Sequence, residues 1–364
     1  MLNKNGPKPN KTVKPHRNVG LTGLTLLAVF SLATGLLALP GAQNHWKAAA
    51  GHGAMGAQGP IFNSALNESR YIGFGDSITF GTINHDYHPE LGYIPRLDLL
   101  LDAALEPSEI INEGVGGEET SQGNLRIDTI IAIRQARYIL IMEGTNDVTF
   151  LRPVTTIIAN LRSMIGKCLN YGVLPVLATI IPRRDDKWYI ASHREIHLAL
   201  NPAIRLLAVE MKVPLADMDQ IFNNYLPGGP EALLSEDLKH PNEKGYQVMA
   251  EAWSAAIKAL PFPPVLVRAH PDTDKILFYR RPGNMVTWRP NEKTESAGTV
   301  VNYRVYRRKA GAGANAFRLL AEVEAAESCF DVSATAGAAY EYAVAAVRTD
   351  GVEGPCSAVA TLER

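Results

Sequence analysis

The sequence predicts a three-layer α/β/α protein with a flavodoxin-like parallel sheet, followed by an all-β sandwich. Three observations predict it. From about residue 70 to 260, short apolar runs alternate with stretches of helical period, and repeated strand–helix units imply a parallel sheet with helices on both sides. Two of the runs, Tyr138–Met142 and Val173–Ile180, are apolar without alternation, as expected of strands covered on both faces. Beyond Leu260-Pro261-Phe262-Pro263-Pro264 the helical period stops and strand patterns take over.

The elements follow in order. Lys4, Lys8, Lys11, Lys14 and Arg17 precede a stretch from Asn18 to Trp46 that carries no Asp, Glu, Lys or Arg. A basic lead followed by such a stretch is a signal peptide or membrane anchor. This assigns residues 1–43, with a membrane tether at 19–39 as one reading, about as long as the roughly 20 residues needed to span a bilayer. No lipobox cysteine closes the apolar run. Residues 44–68, with AAAGHGAMGAQGP at 48–60, are expected to be a flexible linker. The body is therefore expected outside the cytoplasm, whether periplasmic, extracellular or anchored.

A domain at 69–261 is then expected. Strands are predicted at Tyr71–Gly75, Glu109–Val115, Tyr138–Met142, Val173–Ile180 and Pro214–Met218. Helices are predicted around Tyr93–Leu101 and at Leu125–Gln135, Thr155–Leu169, His193–Val213 and Gly245–Leu260. The last places Tyr246, Met249, Trp253, Ile257 and Leu260 on one face. A second domain at 265–364 is expected to be a β-sandwich, with strands at Met285–Trp288, Val301–Tyr306, Phe317–Val323 and Tyr340–Val347. Asp350-Gly351 is a hairpin signal.

Composition narrows the function classes. The formal net charge is −1, and without the five leading basic residues 31 basic face 37 acidic ones. A mildly acidic body argues against nucleic acid as a partner. Cys168, Cys329 and Cys356 form no CxxC pair, which disfavours structural zinc. Cys329 and Cys356 are candidates for a disulfide, with independent buried thiols the simpler reading.

Four segments carry chemistry. Gly75-Asp76-Ser77-Ile78-Thr79-Phe80-Gly81 follows the first strand, and Asn112-Glu113-Gly114-Val115-Gly116-Gly117 leaves the second. Gly144-Thr145-Asn146-Asp147 follows the third, and Asp237-Leu238-Lys239-His240-Pro241-Asn242 precedes the last helix. In open parallel sheets, sites form at the carboxyl ends of the strands. A site there unites a serine, a histidine, an aspartate, an amide and glycine backbone. Serine is a weak nucleophile and needs an imidazole to take its proton. The imidazole needs an orienting carboxylate, and Asp237, three residues before His240, is within one turn of it. The tetrahedral oxyanion needs preorganised donors, and the Ser77 N–H, a Gly117 N–H and the Asn146 side-chain amide are candidates.

These four blocks, in order across about 70–260, resemble those of the SGNH (GDSL-type) hydrolases. The resemblance implies a metal-free, cofactor-free ester or thioester hydrolase of three-layer α/β/α fold. It implies Ser77 as nucleophile, His240 as base and Asp237 as its partner. Ser77, Gly117 and Asn146 would form the oxyanion hole. Glu118-Glu119-Thr120 holds one more acidic residue before Thr than many members do, so Gly116 is the alternative donor. Residues 265–364 resemble a fibronectin type III domain, on Trp288, YRVYRR at 303–308 and YEYAVAAVRTDG at 340–351.

The remaining polar clusters have plain readings. His193 and His197 are four apart, but the run HREIH lacks the zincin order, and a solvated or pocket-lining helix face is expected. His85 and His88 are expected to be exposed loop histidines, with lining of the substrate entrance the alternative reading. Arg183-Arg184-Asp185-Asp186 is expected to be a self-compensating surface run. Asp147 is expected to order its loop, and Tyr340 and Tyr342 to belong to the sandwich core. The expected function is hydrolysis of short acyl, notably acetyl, esters, with a small ester or an acylated polysaccharide as substrate. The rivals are a lysophospholipase or thioesterase for longer acyl chains, and a cell-surface binding or adhesion protein on a hydrolase scaffold. Activity is expected to fall below about pH 6–7, where a histidine base becomes protonated.

Overall fold

The computed structural model describes residues 66–103, 107–184, 190–276, 279–292, 300–313 and 316–362. The expected leader at 1–43, the linker up to residue 65, and Asp185 and Asp186 lie outside the described residues.

The first part is α/β. Its parallel strands are β1 (Asn67–Gly75), β4 (Glu109–Gly114), β5 (Ala136–Met142), β6 (Leu174–Ala178) and β7 (Leu215–Ala216). They lie in the order β4-β1-β5-β6-β7. Counted along the chain, this is the 2-1-3-4-5 order of flavodoxin-like sheets. β1 begins at Asn67, inside the stretch expected to be linker. A two-residue-strand hairpin, β2 (Thr82–Ile83) and β3 (Asp86–Tyr87), stands off the sheet.

Helices cover both faces. On one side, α2 (Tyr93–Asp102), α7 (Met218–Asn223) and α8 (Glu243–Lys258) pack on Tyr71, Leu140, Met142 and Val176. On the other, α3 (Thr120–Arg134), α5 (Val154–Tyr171) and α6 (Ala191–Met211) pack on Ile72, Phe74, Ile139, Ile141 and Leu177. Neighbours such as Leu140 and Ile141 thus serve opposite cores, which is why these strands have no polar alternation. Two short helices, α1 (Ser77–Phe80) and α4 (Thr145–Thr149), follow β1 and β5 directly.

The second part is all-β. β8 (Val265–Ile276), β9 (Tyr279–Arg289) and β12 (Ser328–Asp331) form one antiparallel sheet in the order β12-β9-β8. β10 (Val300–Lys309), β11 (Arg318–Glu324), β13 (Tyr340–Arg348) and β14 (Glu353–Cys356) form the other, with β15 (Ala360–Thr361) on β13. Val286 and Trp288 of the first sheet share a core with Tyr303, Val305, Tyr342 and Val344 of the second, so the sheets pack face to face. Tyr340 and Tyr342 are buried there. Leu260 and Pro261 are buried, and Arg348 Nη1 donates to Ala259 O at 2.7 Å. The segment after α8 is therefore packed against the sandwich. All three cysteines are buried free thiols, with Cys329 and Cys356 in separate apolar clusters.

Candidate active site

The order reversal of the sheet lies between β1 and β5, where a crevice opens at the carboxyl ends of the strands. Both strands end in site segments. After β1, Asp76 caps α1 by accepting from Ile78 N at 2.8 Å, which places Ser77 as the first helical residue. Burial pushes the Asp76 carboxyl up, against that hydrogen bond. Gly114 lets β4 approach α1: a Cβ there would lie 2.1 Å from Phe80 N. Asn112 ties the second segment to the first, donating from Nδ2 to Phe80 O at 3.2 Å.

Ser77, His240 and Asp237 come together. Ser77 Oγ lies 2.9 Å from His240 Nε2, and His240 Nδ1 lies 2.5 Å from Asp237 Oδ2. Asp237 Oδ1 accepts from three donors: His240 N at 2.8 Å, Lys239 N at 2.9 Å and Ser235 Oγ at 2.9 Å. Burial alone would raise this carboxyl; the bonds from the His240 ring and from the two backbone N–H groups outweigh it and hold it far below the usual range. Asn242, not Asp237, caps α8, accepting from Gly245 N at 2.9 Å. Asp237 is therefore left to the histidine.

The second segment turns sharply. Glu118 N donates to Val115 O at 3.2 Å, and Gly117 has φ of +80°. A left-handed third residue is the mark of a type II turn, which favours glycine there. The extra acidic residue beyond it has a job: Glu118 is buried and takes two bonds of 2.6 Å from Arg126. Arg126 also donates to Glu113 O at 2.8 Å and stands 3.9 Å over the Phe74 ring. Glu119 pairs with Gln122 in a capping box at the start of α3. Asp147 accepts from Thr120 N at 2.8 Å and Thr120 Oγ1 at 2.6 Å, joining the second and third segments. Asn146, at the start of α4, is buried and donates from Nδ2 to Glu118 O at 2.9 Å. All five candidate residues thus converge on the ends of β1, β4 and β5 and on the loop before α8. Beneath them Glu143 is buried; that burial, with the Asp76 carboxylate and Glu118 beside it, pushes its acid well above the ordinary range.

Two plain readings need correction. His197 is buried on the inner side of α6 rather than solvated, and burial lowers it to about 4. Arg183 is also buried rather than on the surface: it donates to Thr149 Oγ1 at 2.8 Å. Arg184 pairs with Glu231 at 2.5 Å. His85 sits at the tip of the β2–β3 hairpin, with its Nδ1 3.6 Å from Asp237 Oδ2 and its ring 5.9 Å from that of His240. His88 lines a separate cavity of about 440 Å³ with Ile83, Leu91 and Asn242.

Among the described residues, the donors of His85, Asp237 and His240 lie within 4.8 Å of one another, which is compatible with a metal. The 2.5 Å between His240 Nδ1 and Asp237 Oδ2 is a hydrogen bond, however. Two ligands of tetrahedral zinc at its usual bond lengths sit about 3.3 Å apart. Sequence reasoning missed Arg126, Glu143 and Lys239. The side chain of Lys239 acts on a group 93 residues away, Arg126 reaches back from α3 to Glu118, Glu113 and Phe74, and the burial of Glu143 appears only once the sheet is assembled.

Residues 74–248 match the profile of the GDSL-like Lipase/Acylhydrolase family. The chain is 27% identical over 209 residues to the uncharacterized lipoprotein YqeF of Bacillus subtilis strain 168, covering 50% of this chain and 86% of that protein. Among solved structures it is similar to a lipase/acylhydrolase from Enterococcus faecalis, with 23% identity and a TM-score of 0.46 over 52% of this chain and 94% of that one. It is also similar to a catalytic mutant of an acetylxylan esterase from Geobacillus stearothermophilus, with 20% identity and a TM-score of 0.44 over 52% and 93%.

Proposed function

We propose, for a chain whose residues 74–248 belong to the GDSL-like lipase/acylhydrolase family, that it is an exported serine esterase of short acyl, notably acetyl, esters. The observation that carries the reading is the continuous relay from Asp237 through His240 to the Ser77 hydroxyl, at 2.5 and 2.9 Å.

The chemistry follows from that relay. His240 Nε2 accepts the Ser77 proton as Oγ attacks the ester carbonyl. Asp237 stabilises the imidazolium from the other side of the ring. The oxyanion is held by Ser77 N–H, Gly117 N–H and the second N–H of the Asn146 amide. The imidazolium then protonates the departing alcohol. Water repeats the sequence on the acyl-serine, with His240 again as base, and releases the acid. No metal or cofactor is required by any step.

Export is supported by the charge-free stretch at Asn18–Trp46 and by likeness to a lipoprotein. An exported hydrolase carrying a β-sandwich suits an acylated polysaccharide or another surface substrate, and the sandwich is read as fibronectin type III-like. The test is a 4-nitrophenyl ester series on the full chain. Acetate is expected to be the best substrate. A preference for chains of eight or more carbons would instead assign a lysophospholipase or thioesterase. Folded protein that neither hydrolyses any ester nor takes a fluorophosphonate on Ser77 would overturn the enzymatic reading in favour of a binding protein.

A further inference from the structure

The histidine loop holds a side chain that the relay does not use. Lys239 lies between Asp237 and His240, and its backbone N–H is one of the Asp237 donors. Its side chain runs to the opposite side of the site, where Nζ donates to Asn146 Oδ1 at 3.2 Å. That contact joins positions 93 residues apart. Asn146 is 3% exposed, so its amide cannot take its orientation from bulk water.

Two anchors fix that amide, and they are chemically exclusive. An ammonium only donates, so it must face Oδ1; a carbonyl only accepts, so Glu118 O must face Nδ2. A 180° turn would set oxygen against the Glu118 carbonyl and NH₂ against the Lys239 ammonium. An amide nitrogen carries two hydrogens, and Glu118 O takes one. The other is held in place for an acceptor in the crevice. A cation on Oδ1 also polarises the amide and strengthens its remaining N–H as a donor.

We propose that Lys239 is a positioning residue: acting through Asn146, it fixes and polarises the side-chain amide that donates to the transition-state oxyanion. This rests on the reading of Asn146 as an oxyanion donor given above. The same residue thereby links the two halves of the site, its backbone holding the base's carboxylate and its side chain holding the oxyanion donor.

A double-mutant cycle on the full chain tests it, with 4-nitrophenyl acetate as substrate. Asn146→Ala is expected to lower kcat roughly 10²–10³-fold. Lys239→Met is expected to lower kcat about tenfold or more, the worth of a hydrogen bond to a charged group, with KM within about twofold. Lys239→Arg should restore most of that loss. The double variant should be no slower than Asn146→Ala alone. Inhibition by phenylboronic acid, whose serine adduct is tetrahedral and anionic, should weaken in Lys239→Met by the same factor as kcat.

Losses that multiply in the double variant, or a loss carried by KM, would overturn the role of Lys239. So would an unchanged kcat in Lys239→Met beside a damaged Asn146→Ala. An unchanged kcat in Asn146→Ala would instead remove the oxyanion reading itself, and the Lys239 role with it. If Lys239→Met does not fold, Lys239→Gln keeps a donor without the charge, and its kcat is expected to fall between those of the Arg variant and Asn146→Ala. A kcat for Lys239→Gln equal to that of the unmodified chain would count against the polarising charge.

Discussion

Two buried aspartates anchor polar networks in this molecule, one in each part, and they differ in how the network ends. Asp331, in the sandwich, is fully enclosed: Arg307 donates to both its oxygens at 3.0 and 2.7 Å, Tyr342 Oη donates at 2.7 Å and Ser333 N at 3.0 Å. Asn284 Nδ2 in turn donates to Tyr342 Oη at 2.7 Å. Every group in that set meets another, and the network closes on itself. The Asp237 side chain is only 2% exposed and as richly bonded, but its chain of contacts runs through an imidazole and stops at the Ser77 hydroxyl. A closed network stabilises; an open one leaves an atom able to react.

Breaking the open network is expected to give the largest effect. Ser77→Ala should reduce esterase activity by at least about 10⁴-fold while the thermal midpoint stays within a few degrees, as judged by a nitrophenyl acetate assay beside a melting curve. Retained activity would remove the mechanism. Asp237→Asn should follow, with a loss of about 10²–10⁴-fold in kcat. A loss smaller than about tenfold would show that the histidine is oriented by something else.

The closed network should respond in the opposite sense. Asp331→Ala is expected to destabilise the chain by about 3 kcal/mol in urea unfolding, because a buried guanidinium contact and a phenol lose their acceptor. Its kcat on nitrophenyl acetate should match that of the unmodified chain. An activity loss without a stability loss would erase the distinction between the two networks.

The smallest effect belongs to His197, a buried polar group in neither network. Burial holds it at about 4, so the folded state keeps the ring neutral while the unfolded state protonates near 6.5. Its contribution is therefore complete above pH 6.5 and is lost as pH falls from 6.5 toward 4. The stability gap between the unmodified chain and His197→Gln should shrink across that window by about 2–3 kcal/mol, read from urea midpoints at pH 7.5 and 4.5. A pH-independent gap would mean that the ring takes up its proton as readily in the folded state as in the unfolded one.

Much of this was legible because its signals are local. The parallel sheet with helices on both faces follows from alternating strands and helices, whereas its 2-1-3-4-5 order appears only in the assembled fold; Asp237 and His240 are three residues apart with a backbone N–H contact to prove the turn. Other features depend on the assembled fold. β8 has no strand signal in sequence because Pro271, Asp272 and Asp274 break its apolar pattern, yet ten of its twelve residues pair with β9. The β2–β3 hairpin is too short for a period. Its tip, Asn84-His85, holds two left-handed non-glycine residues, at φ of 49° and 72°, which only contact geometry reveals. The depth of Arg183, in a run that reads as surface charge, and of His197, on a face that reads as solvated or pocket-lining, is hidden because sequence shows polarity and not burial.

The Ser77–His240 contact joins residues 163 positions apart. A chain made from its amino terminus therefore carries its serine for nearly half of its synthesis before the histidine exists, and neither local helix nor local turn can bring them together. Only closure of the whole sheet does so. Until then the hydroxyl has no proton acceptor, so hydrolytic activity would itself be a readout that residues 77 to 240 have folded in full.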